Sequence, residues 1–562
     1  MNEQKNVIIA CFLSMAVLLG YNYFVETPKA KHQAEIAKQV KASMPVEVSK
    51  VEELVDRNQA LGGKRVKIKA PKVHGSINLI GSRFDDVTLA DYHETTQANS
   101  SEIILLSPKK SKQAYFADFG WISGASQSMP TPETLWTASS SELTDTQPVV
   151  LRWDNGQGLH FTRTISIDDQ YMFTVSDKVE NKTANSLKVN AYGQITRVNK
   201  PQTGGYYILH EGPIGVLNGK LVEIDYDKLK EKGVEDYTST GGWLGITDKY
   251  WLVSLIPDQK NTYHTKFRAQ TVDGVDRFLT ETITPEYEVA AGQSLELTQH
   301  LFAGAKNLRI LDAYESKLGF EKFDLAVDFG IFYFLTKPLF YVLEYLNKLL
   351  GNIGVAILLL TVIFKVAMFP LANKSYRSMS RMKTLQPKME ALKQRYGSDK
   401  MRLNQEFMEL YKKEKINPMA GCLPIVIQAP VFFCLYKVLF VTLEMRHAPF
   451  YGWIHDLSAP DPTSVFNLFG LLPFTPPSFL MIGAWPLIMG ATMLLQQKLS
   501  PQPADSAQAK AMMIMPVMMT ILLANFPAGL VIYWAWNNIL SIAQQWWIMR
   551  LEERRTTIKA VS

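Results

Sequence analysis

One charged residue, Lys365, sits inside an otherwise uncharged apolar run from Asn352 to Leu371. A charge held at the bilayer centre costs about 3 kcal/mol on insertion scales, so such a residue faces protein or water. Lys365 is also only about five residues from Pro370, roughly 8 Å at the helical rise, so its ammonium can instead snorkel to the interface. Thr361 lies one turn earlier on the same face. A second polar feature comes near the end of the chain. Tyr533, Asn537, Ser541 and Gln545 recur every four residues, with Asn538 and Gln544 beside them. Period four on a helix is one face. Among apolar neighbours, that face either supplies interhelical hydrogen bonds or meets water. Together with Lys365 it predicts a partly hydrated cavity within the membrane.

Chemistry that breaks bonds is not encoded in any recognisable pattern. The nine His residues do not cluster, and no H-E-x-x-H, G-x-S-x-G or G-x-x-x-x-G-K-[ST] occurs. Three cysteines cannot form a disulfide framework, and Cys422 and Cys434 share one apolar run as small buried residues. No catalytic residue, metal site or cofactor is predicted.

The elements that must position Lys365 and the polar stripe are visible once the averages are divided. The chain has 562 residues, 47% apolar and 20% charged, with net charge +6 and mean hydropathy −0.04. Residues 26–350 carry 37 Lys+Arg against 41 Asp+Glu, whereas residues 351–562 carry 21 against 11. Val7–Val25 is an uncharged stretch near the 20 residues that span a bilayer, too long and without the small-residue site of a cleaved signal peptide. From about Arg65 to Phe302 the period is two, as in Val66-Lys67-Ile68-Lys69 and Phe161-Thr162-Arg163-Thr164-Ile165, with Gly, Asn, Asp and Pro between the runs. This predicts a large antiparallel β-sandwich.

The predicted organisation is a polytopic α-helical membrane protein with an all-β domain. Residues 1–25 are an anchor, 26–60 a linker, 61–323 the β-sandwich and 324–350 an amphipathic interfacial helix. Further spans follow at 351–371, 421–443, 478–497, 512–526 and 528–549. Between and after them lie 372–420, 444–477, 498–511 and the tail 550–562. Pro424, Pro430, Pro486 and Pro516 each remove a backbone donor and predict bent helices. With the N-terminus inside, four pieces face the cytoplasm: Met1–Asn6, 372–420, 498–511 and the tail. They carry 1, 12, 2 and 4 Lys+Arg, against a single Arg446 in 444–477. The positive-inside rule then places the β-domain in a periplasm.

The loop 372–420 is itself distinctive. Met382, Leu385, Met389, Leu392 and Tyr396 step by three and four, and Leu403, Phe407 and Leu410 answer on the return. Two helices, Lys374–Tyr396 and Lys400–Ile416, are predicted to pair as an antiparallel hairpin. Its twelve bases against five acids read either as a solvated face or as an electrostatic dock for RNA or anionic lipid. The candidate docking residues are Lys374, Arg377, Arg381, Lys383, Lys388, Lys393 and Arg395, with Arg550, Arg554 and Arg555 of the tail.

Longer motifs carry a resemblance. Phe369-Pro370-Leu371, Leu385-Gln386-Pro387-Lys388, the run from Glu414 to Ile425 with Asn417-Pro418-Met419-Ala420-Gly421-Cys422, Arg446-His447-Ala448-Pro449-Phe450, Trp453-Ile454-His455-Asp456-Leu457-Ser458 and Phe526-Pro527-Ala528-Gly529-Leu530 stand in order. Together with Gly75-Ser76-Ile77-Asn78-Leu79 they resemble the YidC/Oxa/Alb family of membrane protein insertases, in the Gram-negative arrangement with a large periplasmic domain. The resemblance covers essentially the whole chain. It implies a non-enzymatic insertase of the inner membrane, acting on nascent membrane proteins with the ribosome, the Sec translocon and the phospholipid bilayer as partners. It implies a groove open to cytoplasm and lipid, with Lys365 as its charge where many relatives carry Arg. Thr361, Phe432, Tyr533, Trp534, Asn537 and Ser541 become groove contacts, Trp534 standing where Tyr is frequent. The β-domain resembles a galactose-mutarotase-like sandwich. Two other readings stand beside this one: a solute transporter, which usually shows matched repeats, and an envelope carbohydrate-modifying enzyme acting through the β-domain.

Overall fold

The structure, a computed structural model, describes residues 55–124, 128–201, 209–397, 399–414, 423–474, 476–477, 481–500 and 506–561. The predicted N-terminal anchor, most of the linker and the stretch Asn417–Cys422 lie outside the described residues.

The alternating segments become strands with one face buried. Leu159–Ile167 alternates buried and half-buried without a break, and Arg65–Lys69 buries Val66 and Ile68. Among the described residues the strands form two sheets of eleven and nine, packed face to face. In the first, Leu187–Val198 sits between Tyr115–Ile122 and Val275–Ile283. In the second, Met172–Asn181 lies between Leu159–Ile167 and Ser294–Ala305. These pairings are antiparallel, as the hairpin-like spacing requires. Gly304 is needed where the ring of Tyr171 covers the strand: a Cβ there would lie 2.2 Å from the ring.

One core-facing position is a charge. Arg163 occupies an inward slot of the alternation, fully buried, and donates through Nε and a terminal nitrogen to Asp177 at 2.6 and 2.9 Å. Asp177 is its register partner on the neighbouring strand. The fork-to-fork geometry makes a buried charge tolerable here.

The sandwich is joined to the helices by a short connector. Helix α1 (Leu308–Leu318) is capped by the Asn307 side chain, which accepts from the backbone N–H of Arg309 and Ile310. Helix α2 (Tyr333–Leu350) falls within the segment 324–350 expected to form an interfacial helix, but begins only at Tyr333, after a 3-10 turn at Phe323–Ala326. Then come α3 (Ile353–Ala367), α4 (Phe369–Thr384), α5 (Gln386–Tyr396), α6 (Lys400–Lys413), α7 (Leu423–Val441), α8 (Ala484–Leu499), α9 (Ser506–Leu523) and α10 (Ala528–Val561). The β-domain rests on the far end of α7. Lys437 of α7 pairs with Asp328 at 2.6 Å, and the Lys249 ammonium sits 4.2 Å from the Phe440 ring centroid.

Several sequence expectations change in detail. The run 351–371 is not one straight span. Helix α3 ends at Ala367, and the chain bends by 68° into α4, whose second residue is Pro370. Proline has no N–H to continue a helical ladder but fits a first turn. The first hairpin helix is likewise divided, at Leu385, with Pro387 in the first turn of α5. Pro486 bends nothing: it lies in the first turn of α8, where its N–H would have no partner. The segments expected to form the last span and the basic tail are one continuous helix, α10. Among the described residues no single helix is long and apolar enough to cross a membrane, while α3 and α4 pass that test as a bent pair.

Candidate functional site

Helices α3, α4, α7, α8 and α10 enclose a cavity of about 280 Å³. Lys365 stands in its wall, in the last turn of α3. The orphan carbonyls of a helix C-terminus favour a cation there. The bend after Ala367 turns α4 to the cavity, where Leu371, Ala372 and Tyr376 line it. From α10, Trp534, Asn537, Ser541 and Gln544 face it, Gln496 comes from α8, and Phe432 from α7.

The ammonium of Lys365 donates to Ser541 Oγ at 2.7 Å, and Ser541 donates in turn to the Asn537 backbone carbonyl at 2.7 Å. Two polar atoms at this wall, Asn537 Oδ1 and Gln544 Nε2, are buried without a hydrogen-bond partner. Groups of that kind require water or a bound polar chain. Beside these polar groups the lining is aromatic: Phe432 of α7 meets Trp534 of α10 edge-on at 4.8 Å between ring centroids. Toward the β-domain the space is filled. Phe432 stacks on Tyr436 at 6.1 Å, and Tyr436 contacts both Phe440 and Phe526. The cavity therefore lies in the half of the helices nearest the basic hairpin.

Of the seven groove residues expected from sequence, Lys365, Phe432, Trp534, Asn537 and Ser541 line the cavity. Thr361 does not. It is buried and its hydroxyl donates to the Ile357 carbonyl at 2.7 Å. Tyr533 is buried behind Phe432, with the two rings stacked at 6.2 Å. The polar stripe thus divides: Asn537 and Ser541 meet the cavity, whereas Asn538 is interhelical glue, donating to Thr492 Oγ1 at 3.2 Å. Tyr376 and Gln496 were not anticipated. Gln496 had a signal, since Gln496 and Gln497 are the carboxamides at the end of an apolar run. Tyr376 had none, because the bend at Met368 places it.

In the hairpin the apolar stripes are buried in part. Leu385, Met389 and Phe407 are buried, and the Tyr411 hydroxyl reaches Met389 Sδ at 3.5 Å. The Asp399 side chain caps α6 by accepting from the backbone N–H of Met401 and Arg402. The candidate docking bases are not all equally available. Arg377 and Arg381 pair with Glu552 of α10 at 4.0 and 3.2 Å, and Lys388 with Glu414 at 2.6 Å. Arg395 lies over Tyr396, and Arg550 over Trp546. Lys374, Lys383, Lys393, Arg395, Arg550 and Arg554 have exposed side chains; that of Arg555 lies outside the described residues.

Among the described residues one acidic cluster, Asp312, Glu315 and Asp324, is close enough to hold a cation. The Lys337 ammonium already serves it, donating to Asp312 at 3.0 Å and Asp324 at 2.5 Å. Burial opposes that charge, yet the two carboxylates prevail and raise the lysine above its ordinary value. The pair fastens α2 to α1 and the segment before α2.

Comparison with known proteins places this architecture. Residues 65–342 match the family model described as the YidC periplasmic domain, and residues 345–555 that described as the 60Kd inner membrane protein. A membrane protein insertase YidC of Methylobacterium nodulans is 49% identical over 98% of this chain and 95% of its own length. The chain belongs to the YidC membrane protein insertase family. A second YidC insertase, from Rickettsia bellii, is 48% identical over 98% of this chain and 100% of its own length. Among solved structures, an active YidC insertase with its first transmembrane domain resolved is 18% identical, with a TM-score of 0.36, covering 91% of this chain and 98% of that one. A galactose mutarotase-like protein of Lactobacillus casei is 10% identical, with a TM-score of 0.30, covering 42% of this chain and 99% of that one. YidC relatives are named as insertases, not as enzymes.

Proposed function

We propose that this chain inserts and folds nascent membrane proteins in the inner membrane, alone or with the Sec translocon. The observation that carries the reading is the half-buried Lys365 ammonium, turned onto Ser541 inside a cavity with unsatisfied amide groups and an aromatic wall. A ribosome docks through the basic hairpin and the end of α10, which lie at the same end of the helices as the cavity. The apolar segment of the nascent chain passes along Phe432 and Trp534 into lipid. Lys365 pairs transiently with acidic residues of the end to be translocated. The driving free energy is apolar transfer and, for acidic ends, the membrane potential. The orientation is N-in and C-in, with the β-domain in the periplasm, as the distribution of Lys and Arg supports.

Site-specific photocrosslinking to ribosome-bound nascent chains tests the path. Probes at Phe432 and Trp534 should capture the apolar segment, whereas a probe at Thr361, buried outside the cavity, should not. Equal yields from the three positions would refute a defined groove. The transporter reading lacks support, because the apolar segments of the sequence show no matched repeat.

A further inference from the structure

The loop between α7 and α8 has an apolar tip that the groove does not use. Between Asp461 and Lys498 the chain has no charged residue. The base of the loop is fixed. Asp461 accepts from Trp453 Nε1 at 3.1 Å and from the Thr463 backbone and hydroxyl at 3.0 and 2.7 Å. Its second oxygen accepts from the Trp485 backbone N–H at 2.9 Å, in the first turn of α8. Val465 N–H donates to the Ile482 carbonyl at 3.0 Å. On this base the backbone is strained: Leu468 and Phe469 have φ of +52° and +57°, two successive non-glycine residues in the left-handed region. Such conformations persist only where the surroundings compensate them. Here the turn is closed by the Phe469 N–H, which donates to the Ser464 carbonyl at 2.7 Å, and the Leu472 N–H, which donates to the Asn467 carbonyl at 3.0 Å, and it turns apolar side chains outward. Phe466, Leu468, Phe469, Leu471, Leu472 and Phe474 are each at least 40% exposed, and Leu471 82%.

An apolar patch of this kind marks a protein or membrane contact. Three observations favour lipid. The tip offers no charge with which to select a protein partner. Leu487 and Ile488, in the first turns of the helix the loop leads into, are apolar and exposed as well. Tyr451 and Trp453, exposed at the same end, are the residue types of a membrane–water boundary. We propose that Phe466–Phe474 enters the acyl chains of the leaflet opposite the basic hairpin. The anchored tip then sets the depth of α8, and with it the depth of Gln496 in the cavity. This rests on reading α8 and α9 as membrane-spanning.

Depth-resolved fluorescence quenching tests it on the full chain. Cys11, Cys422 and Cys434 are replaced by serine. Single cysteines then replace Leu471, Phe474 or, as a lipid-facing control on α9, Val517; each is labelled with NBD in phosphatidylcholine–phosphatidylglycerol vesicles. Lipids carrying a nitroxide on the upper acyl chain should quench the labels at 471 and 474 by roughly twofold or more, as expected of side chains at the acyl boundary, with iodide acting weakly. Quenching of these two by iodide alone, while the label at 517 still responds to lipid, places the tip in water and overturns the proposal. Shielding of 471 and 474 from both quenchers means that protein covers the tip, which overturns it equally. A label at 517 that ignores the nitroxide lipid removes the spanning reading and the proposal with it.

Discussion

Neutralising Lys365 should slow insertion of substrates with an acidic translocated end and leave neutral ones nearly untouched. The ammonium is held at the cavity wall by Ser541 at 2.7 Å. A carboxylate entering the cavity can approach it to about 4 Å, where the attraction is about 4 kcal/mol at an effective dielectric constant near 20. Desolvating the carboxylate offsets part of this. A net difference of about 2 kcal/mol between charged and neutral side chains corresponds to roughly 30-fold in rate, if passage of the acid limits insertion. The assay is insertion into proteoliposomes of paired reporters that differ only by Asp against Asn in the translocated tail. Lys365→Gln should slow the Asp reporter by that factor and change the Asn reporter by less than about threefold, since uncharged contacts remain. Lys365→Arg should retain most activity, and Lys365→Glu should fall below Lys365→Gln. Equal rates for the Arg, Gln and Glu variants on the Asp reporter would refute the electrostatic role. Equal slowing of both reporters by Lys365→Gln would show that the residue merely supports the fold.

Other expectations follow from packing, burial and charge. Gly490 of α8 lets α9 approach so closely that a Cβ would lie 2.1 Å from Thr520 Oγ1; Gly490→Ala should cost about 1–3 kcal/mol, seen as a lower melting temperature in detergent, and Thr520→Ala should restore part of it. Arg163→Leu should destabilise the β-domain by about 3–5 kcal/mol by leaving Asp177 buried and unpaired, while the double variant with Asp177→Leu should melt closer to the parent. Burial lowers His210 and His300 below 6.5, so the unfolded chain takes up protons first. Stability from these groups is complete above 6.5 and is lost as pH falls from there through their lowered values, and His210→Asn should flatten the dependence of melting temperature on pH. Glu552→Gln frees Arg377 and Arg381 from their pairs, so ribosome binding at low salt should strengthen and fall more steeply with added salt, measured by co-sedimentation.

Much of the architecture was legible because it depends on periodicity. Alternation over Leu159–Ile167 and the three-four steps of Met382–Tyr396 describe which face of an element is apolar; the first face is buried throughout, and the second buries Leu385 and Met389 and leaves Met382, Leu392 and Tyr396 half-buried. Arg163 shows the limit of the argument. Its position in the alternation pointed inward, but a charge at an inward slot is stable only because Asp177 is its neighbour on the next strand, and strand pairing is not written locally. The groove divides in the same way. Lys365 and the four-residue stripe on α10 were visible as polar groups in apolar runs. Which of them share a cavity was not, because one helical face is wide enough to touch both a neighbouring helix and open space.

By itself, then, the sequence determined the β-sandwich, the basic hairpin, the polar residues set among apolar helices and the family. These rest on residue types and spacing within single elements. Tertiary structure decided the rest. The packing of α3 against α10 sets Lys365 on Ser541, and the 68° bend after Ala367 brings Tyr376 to the cavity. Helix packing turns Thr361 and Tyr533 away from it and pairs part of the hairpin's charge with α10. Direction and neighbourhood in three dimensions depend on where helices break and cross, and no periodic pattern within one helix carries that information.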